Sequence, residues 1–315
     1  MIRVGIDLGG TNIVAGVVDD HYTILATAKR KTNLPRPADD IIADMAAVAK
    51  EAVEKANMTM QEVRYIGVGC PGTCNQETGI VEYSNNLRFD KVPLKAKLEE
   101  LTGKPVYVEN DANAAALGEA LAGAGKGAKS CVCITLGTGV GSGVVLDGKV
   151  YDGFNFAAAE IGHTVIVVDG EPCTCGRHGC WEAYASATAL VRQTKAAMQE
   201  HPDSQMHNVA REQGRVNGRT AFDAMRRGDA AAKQVVDTYI RYIACGLANV
   251  VNIFQPEVLC IGGGICNEGD TLLIPLKEML EQERYSKYSE RQTRLCVATL
   301  ANDAGIIGAA FLGDE

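Results

Sequence analysis

Two stretches of this chain, 128 positions apart, repeat one pattern: a short apolar strand, a glycine turn and a second apolar strand. The first copy runs IRVGIDL, GGTN, IVAGVVD from Ile2 to Asp19. In the second, Ile134, Leu136, Gly137, Val145 and Asp147 fall in register with Ile6, Leu8, Gly9, Val17 and Asp19, around the turn LGTGVGSG. The β-branched runs are too short for helices, and Gly9-Gly10 marks a tight turn. Two such units in chain halves of similar size point to duplicated lobes facing one cleft. The 315 residues are about twice the length of a typical domain, in keeping with two cores.

Helices and strands alternate between the copies. Ile41, Ile42, Met45, Val48, Ala49, Ala52 and Val53 lie at helical spacing within residues 38–57, and a strand follows over 64–69. PVYVEN reads as a strand entering a helix, with Asn110 or Asp111 suited to cap it. A long apolar helix covers Ala230–Phe254, stops before Pro256, and feeds a strand over 257–261 and the turn Gly262-Gly263-Gly264. A strand near 295–299 and a helix from about Ala304 follow. The expected class is α/β, with mixed sheets flanked by helices. The glycine-rich stretch at 118–128 reads as a surface connection. It divides a first lobe at 1–118, completed by a helix at about 301–315, from a larger second lobe at 119–300.

Composition narrows the function. Hydrophobic residues at 46% exclude a disordered chain, and 31 basic against 39 acidic residues give a net charge of −8. That charge argues against binding nucleic acid or an anionic membrane. Asp7 interrupts the apolar core a signal peptide would need, and no apolar run reaches the roughly 18 residues of a membrane span. Eleven cysteines without a secretion signal read as reduced thiols, so a cytoplasmic location is expected.

Three glycine turns leave apolar strands: Gly9-Gly10-Thr11, Gly137-Thr138-Gly139 and Gly262-Gly263-Gly264. Backbone N–H groups in such turns can converge on an anion. None is a P-loop, and no G-x-G-x-x-G opens a helix. Any one alone reads as a plain hairpin turn, whereas three together point to nucleotide phosphates. Asp7 is placed either to hold a hydrated Mg²⁺ or to accept nearby N–H groups. His163, Cys173, Cys175 and Cys180, spaced H-x9-C-x-C-x4-C, form the four-donor set of structural zinc, with buried free thiols or a redox pair as the alternatives. His178 could compete with His163 as a ligand. Asp111 at a helix N-terminus is either a cap or a carboxylate kept ionised to take a proton. Glu160 and Glu182 bracket the cysteine loop and read as acids for sugar hydroxyls, or as solvated surface acids.

DLGGTN (7–12), GCPG (69–72), ENDANAAALGE (109–119), LGTGVGSG (136–143), EIGH (160–163) and CTCGRHGCWE (173–182) together resemble the ROK (repressor, ORF, kinase) sugar kinases, and among them the bacterial ATP-dependent glucokinases. The resemblance implies two RNase H-like lobes of the actin-like ATPase fold, with an interlobe cleft closing over hexose and ATP. It implies transfer of a phosphoryl group to the hexose 6-hydroxyl, with glucose expected. Other acceptors left open are fructose, mannose, N-acetylmannosamine and N-acetylglucosamine. By position, Asp111 matches the catalytic base, and Asn110, Glu160, His163 and Glu182 match hexose contacts, with Gly72 and Asn86 along the sugar pocket. Asp7, Gly9, Gly10, Thr11, Asn12, Gly137, Thr138 and Gly139 match the phosphate-binding turns, and Gly262 and Gly263 the adenosine side. The implied cofactors are ATP, Mg²⁺ and a structural Zn²⁺, and the implied assembly is a homodimer. A sugar-responsive repressor of the same family is the other class; the strand starting at Ile2 leaves no room for a helix-turn-helix before it. An ATPase working by conformational change alone would hydrolyse nucleotide without sugar stimulation. Asn12 stands where many members carry Lys, NNLRF lacks a common Trp, and FNFAAAEIGH carries Phe and Ala where glycines are usual.

Overall fold

The computed structural model describes residues 1–314. The runs flanking Gly9-Gly10 form β1 (Ile2–Leu8) and β2 (Asn12–Val18), antiparallel with Asp7 opposite Val14, and β3 (Ile24–Lys31) extends the meander. Helix α1 (Ala38–Lys55) buries the apolar stripe read from its spacing, Ile41 to Val53. It leads to β4 (Val63–Cys70), which lies parallel to β1. Three short strands, β5 (Thr73–Asn75), β6 (Ile80–Ser84) and β7 (Phe89–Val92), then form a separate antiparallel sheet. After α2 (Leu94–Thr102), β8 (Val106–Asn110) pairs parallel with β4 and runs directly into α3 (Asp111–Ala122).

The second copy of the motif gives β9 (Ser130–Leu136) and β10 (Val140–Leu146), followed by β11 (Lys149–Val150). A largely helical stretch comes next: α4 (Glu182–Ala185), α5 (Ala187–Glu200), α6 (Met206–Glu212), α7 (Thr220–Arg226) and α8 (Ala230–Phe254). Then come β12 (Val258–Gly262), α9 (Asp270–Glu283), β13 (Arg294–Val297) and α10 (Asp303–Ala310). The sheets are ordered β3-β2-β1-β4-β8 and β11-β10-β9-β12-β13. Each therefore repeats one topology, meander first and crossover strands after, which is the duplication the sequence pattern announced.

The chain gathers into two compact units. One holds Met1–Cys133, Ser142–Ala159 and the residues from Ala298 on; the other holds Ile134–Gly141 and Glu160–Val297. Residues 119–133, expected in the second lobe, lie in the first unit. The glycine-rich stretch is no linker: it begins inside α3 and ends in a turn held by Glu119. The Glu119 carboxylate accepts N–H groups of Ala124 at 2.8 Å, Thr299 at 3.1 Å and Leu300 at 2.7 Å. The final helix, expected over 301–315, is α10 with a 3-10 turn at Leu312–Asp314; position 315 lies outside the described residues. In the first unit α10 lies on the sheet and against α3. It sits so close that a Cβ on Gly5 would stand 1.9 Å from the Ile306 carbonyl, and one on Gly67 1.7 Å from that of Ala309. The core on the other sheet face is Ile6, Leu8, Ile13 and Ala15 against α1. The second unit centres on Trp181, Leu190, Phe222, Tyr239 and Ile243, all buried.

Candidate active site

In the first unit the glycine turn is fixed from β3. Gly9 N–H donates to the Asn12 carbonyl at 2.9 Å, while Thr32 donates its hydroxyl to Gly9 O at 2.6 Å and its N–H to Thr11 O at 3.0 Å. Asp7 ends up on the α10 face of the sheet, close to Gly305. Burial, and then repulsion from Asp111, push the Asp7 carboxyl up to about 6. Asn12 precedes Val14 by two residues and so shares the face of Asp7. Its Oδ1 is buried without a protein partner among the described residues.

The junction of β8 and α3 carries the second carboxylate. Asn110 caps α3, its Oδ1 accepting N–H groups of Ala112 at 2.9 Å and Asn113 at 3.2 Å. Its Nδ2 donates to Gly72 O at 3.1 Å. Gly72 needs its bare Cα: φ is 111° and a Cβ would lie 2.1 Å from Tyr83 O. Asp111 accepts the Ala112 N–H at 2.9 Å, and burial outweighs that bond in raising its carboxyl above the usual carboxylate range. Asn86 is exposed in the turn after β6. Sequence reasoning missed Glu109, a carboxylate only 2% exposed. It accepts from Gln76 Nε2, from Asn113 Nδ2 at 3.0 Å and from the Asn110 N–H at 2.6 Å. Its position beside Asn110-Asp111 was the only available signal.

The second unit gathers the other expected residues. The turn Gly137-Thr138-Gly139 ends β9 and is tied to α5: Ala187 N–H donates to Gly137 O at 2.8 Å, and the Thr188 hydroxyl to Thr138 O at 2.7 Å. The turn at Gly263, φ 98°, packs over the end of β9, where a Cβ would lie 2.2 Å from Leu136 O. Two of the three glycine turns are thus neighbours. Glu182, the first residue of α4, accepts the Val140 N–H at 2.9 Å, and its carboxylate fills the space a Cβ on Gly139 would take. The Thr174 hydroxyl donates to the same carboxylate at 3.4 Å, and the Cys173 thiol at 3.9 Å.

The donor atoms of His163, Cys173, Cys175 and Cys180 all lie within 4.8 Å of one another. His163 Nδ1 is 3.6 Å from Cys173 Sγ, and Cys175 Sγ is 3.6 Å from Cys180 Sγ. Tetrahedral zinc with bonds of about 2.0–2.3 Å needs donor separations of about 3.5–3.8 Å, so these residues fit that ion. Bridges Val165–Cys180 and Pro172–His178 shape the loop. Buried Trp181 anchors it by donating Nε1–H to Tyr242 O at 2.7 Å. His178 is outside the four-donor set. Glu160 is exposed immediately before the 3-10 turn Ile161–His163.

The ROK family model matches residues 3–315. A glucokinase of Halalkalibacterium halodurans is 39% identical over 310 residues, 98% of this chain and 94% of that protein. A glucokinase of Thermotoga maritima is 38% identical over 314 residues, 99% of this chain and 97% of that one. Among solved structures, the ROK glucokinase of Streptomyces griseus in complex with glucose and AMPPNP superposes with a TM-score of 0.80 at 36% identity, covering 99% of each chain. With the duplicated sheets, the glycine turns and the four-donor loop in place, the chain belongs to the ROK family.

Proposed function

We propose that this chain is an ATP-dependent hexokinase whose acceptor is glucose, with Asp111 as the base. The observation that carries this reading is the Asp111 carboxylate, set at the first position of α3 with its proton affinity raised by burial. A carboxylate so placed accepts the proton of the 6-hydroxyl as that oxygen bonds to the γ-phosphorus and the bond to ADP breaks. The glucokinase relatives, similar over nearly the whole chain, support ATP as donor and glucose as acceptor.

Gly72, Asn86, Asn110, Glu160, His163 and Glu182 are assigned to the hexose. With His163 Nδ1 turned to Cys173, Nε2 is the edge left for a hydroxyl. Residues 7–12 and Gly137-Thr138-Gly139 are assigned to phosphate, and Gly262 and Gly263 to adenosine. The half-buried Asp7 carboxylate and the orphan Asn12 Oδ1 on one face suit a hydrated Mg²⁺, whose waters donate. That ion supplies neutralisation of phosphate charge. Zinc, held by His163, Cys173, Cys175 and Cys180, supplies rigidity to the loop between Glu160 and Glu182. A cytoplasmic homodimer without nucleic-acid or membrane partners completes the proposal; no helix among the described residues is long and apolar enough to cross a membrane.

The test is ADP release over a panel of glucose, fructose, mannose, N-acetylmannosamine and N-acetylglucosamine. Glucose should give the highest kcat/KM. Asp111→Asn should lower kcat by about 10²–10⁴-fold with little change in KM. A different preferred sugar would move the acceptor, and an Asp111→Asn enzyme with most of its turnover would remove the base assignment.

A further inference from the structure

We propose that Glu109 is a positioning residue, latching the β5–β6 hairpin to the strand–helix junction that presents Asp111. The inference rests on the reading of Asp111 as base and of Gly72 and Asn86 as hexose contacts. Donors reach both carboxylate oxygens. Oε1 accepts from Asn113 in the first turn of α3 and from the Asn110 N–H, while Oε2 accepts from Gln76 between β5 and β6. An ionised carboxylate offers acceptors at both ends, whereas an amide in the same place keeps all three bonds only if the Gln76 amide turns over to accept. Burying that charge is unfavourable unless it is fully bonded, so the arrangement persists only while hairpin and helix keep their spacing. Asn110 adds the parallel tie from its Nδ2 to Gly72 O. One carboxylate thereby sets how far the hairpin, and with it Gly72 and the turn bearing Asn86, stands from the base.

Gln76→Ala and Gln76→Glu are compared with the parent enzyme in steady-state kinetics and in peptide-resolved amide hydrogen exchange. The first removes the donor, and the second sets two carboxylates against each other. Each should raise KM for glucose by about tenfold, the size expected for loss of one charged hydrogen bond, and leave KM for ATP unchanged. Exchange over residues 73–92 should speed up in both. Combining Gln76→Glu with Glu109→Gln exchanges the two groups and restores the bonds to position 76, Asn110 and Asn113. The amide then placed on β8 donates to the carboxylate at position 76, and its oxygen still accepts from Asn110 and Asn113. The double variant should return KM for glucose and the exchange rates toward the parent. Exchange and KM unchanged in Gln76→Ala, or a double variant no better than Gln76→Glu alone, would overturn the latch. A parent enzyme inactive on every hexose would instead sink the functional reading, while exchange over 73–92 still decides on the latch.

Discussion

Asp7 carries a carboxylate that the fold disfavours. Burial is the larger cause and the neighbouring Asp111 the smaller, and together they raise its pKa from the ordinary 3.8 to about 6. A carboxyl whose folded pKa is raised binds its proton more tightly in the folded state. Stability is therefore lost as pH rises from 3.8 toward 6, and the loss is complete above that window. At pH 7.5, without nucleotide or divalent cation, Asp7→Asn should be more stable than the parent by about 2–3 kcal/mol. The difference should fade near pH 4. Denaturant titrations at the two pH values check this, and a gap of equal size at both would refute it. The same scale shows what a sequence can and cannot reveal. Asn110 and Asp111 were legible because a strand ending in polar residues ran straight into a helix former. Glu109 was not. The register sets Tyr107 and Glu109 beside Gly67 and Gly69 on the face that α10 covers. Tyr107 stays exposed at the sheet edge, while Glu109 is buried and bonded to Asn113 of α3 and to a glutamine 33 residues earlier, partners that alternation along β8 does not reveal.

Among the elements, α8 was legible to the residue. Its apolar stripe is bounded by Asp229, which accepts the Ala232 N–H at 2.7 Å, and by Pro256 just past its end. The sheet β5–β7 escaped notice because strands of three to five residues leave no period to read. The clustering of His163, Cys173, Cys175 and Cys180 was legible in their spacing, but the attachment of this loop to the glycine turn through Glu182 and Val140 was not. That attachment has a measurable consequence. Cys175→Ser, or exhaustive chelation, should lower bound zinc by metal analysis and raise KM for glucose and for ATP together, since Glu182 is shared by the loop and the turn. A zinc-free protein with both constants unchanged would separate the loop from the site.

At the scale of the whole molecule, the first unit is assembled from three separated lengths of chain, the last of which brings α10 onto the centre of its sheet. At the head of the glycine-rich stretch Gly118 serves close packing of α3 against α10 rather than a connection: a Cβ there would lie 2.2 Å from Ala304 O. Gly67→Ala should accordingly destabilise the protein by about 1–3 kcal/mol or more, as overpacking against backbone does, and lower Tm in a thermal scan. A variant as stable as the parent would show that α10 can shift at no penalty.

The position of α10 also sets an order of events during synthesis. The polypeptide leaving the ribosome would offer β1 to β8 long before the helix that shields their exposed face has been translated. Residues 160–297 could reach their own core first. The strands β1 to β8, made before residues 160–297, would then be finished after them, and until that moment would depend on whatever guards an uncovered sheet in the cell.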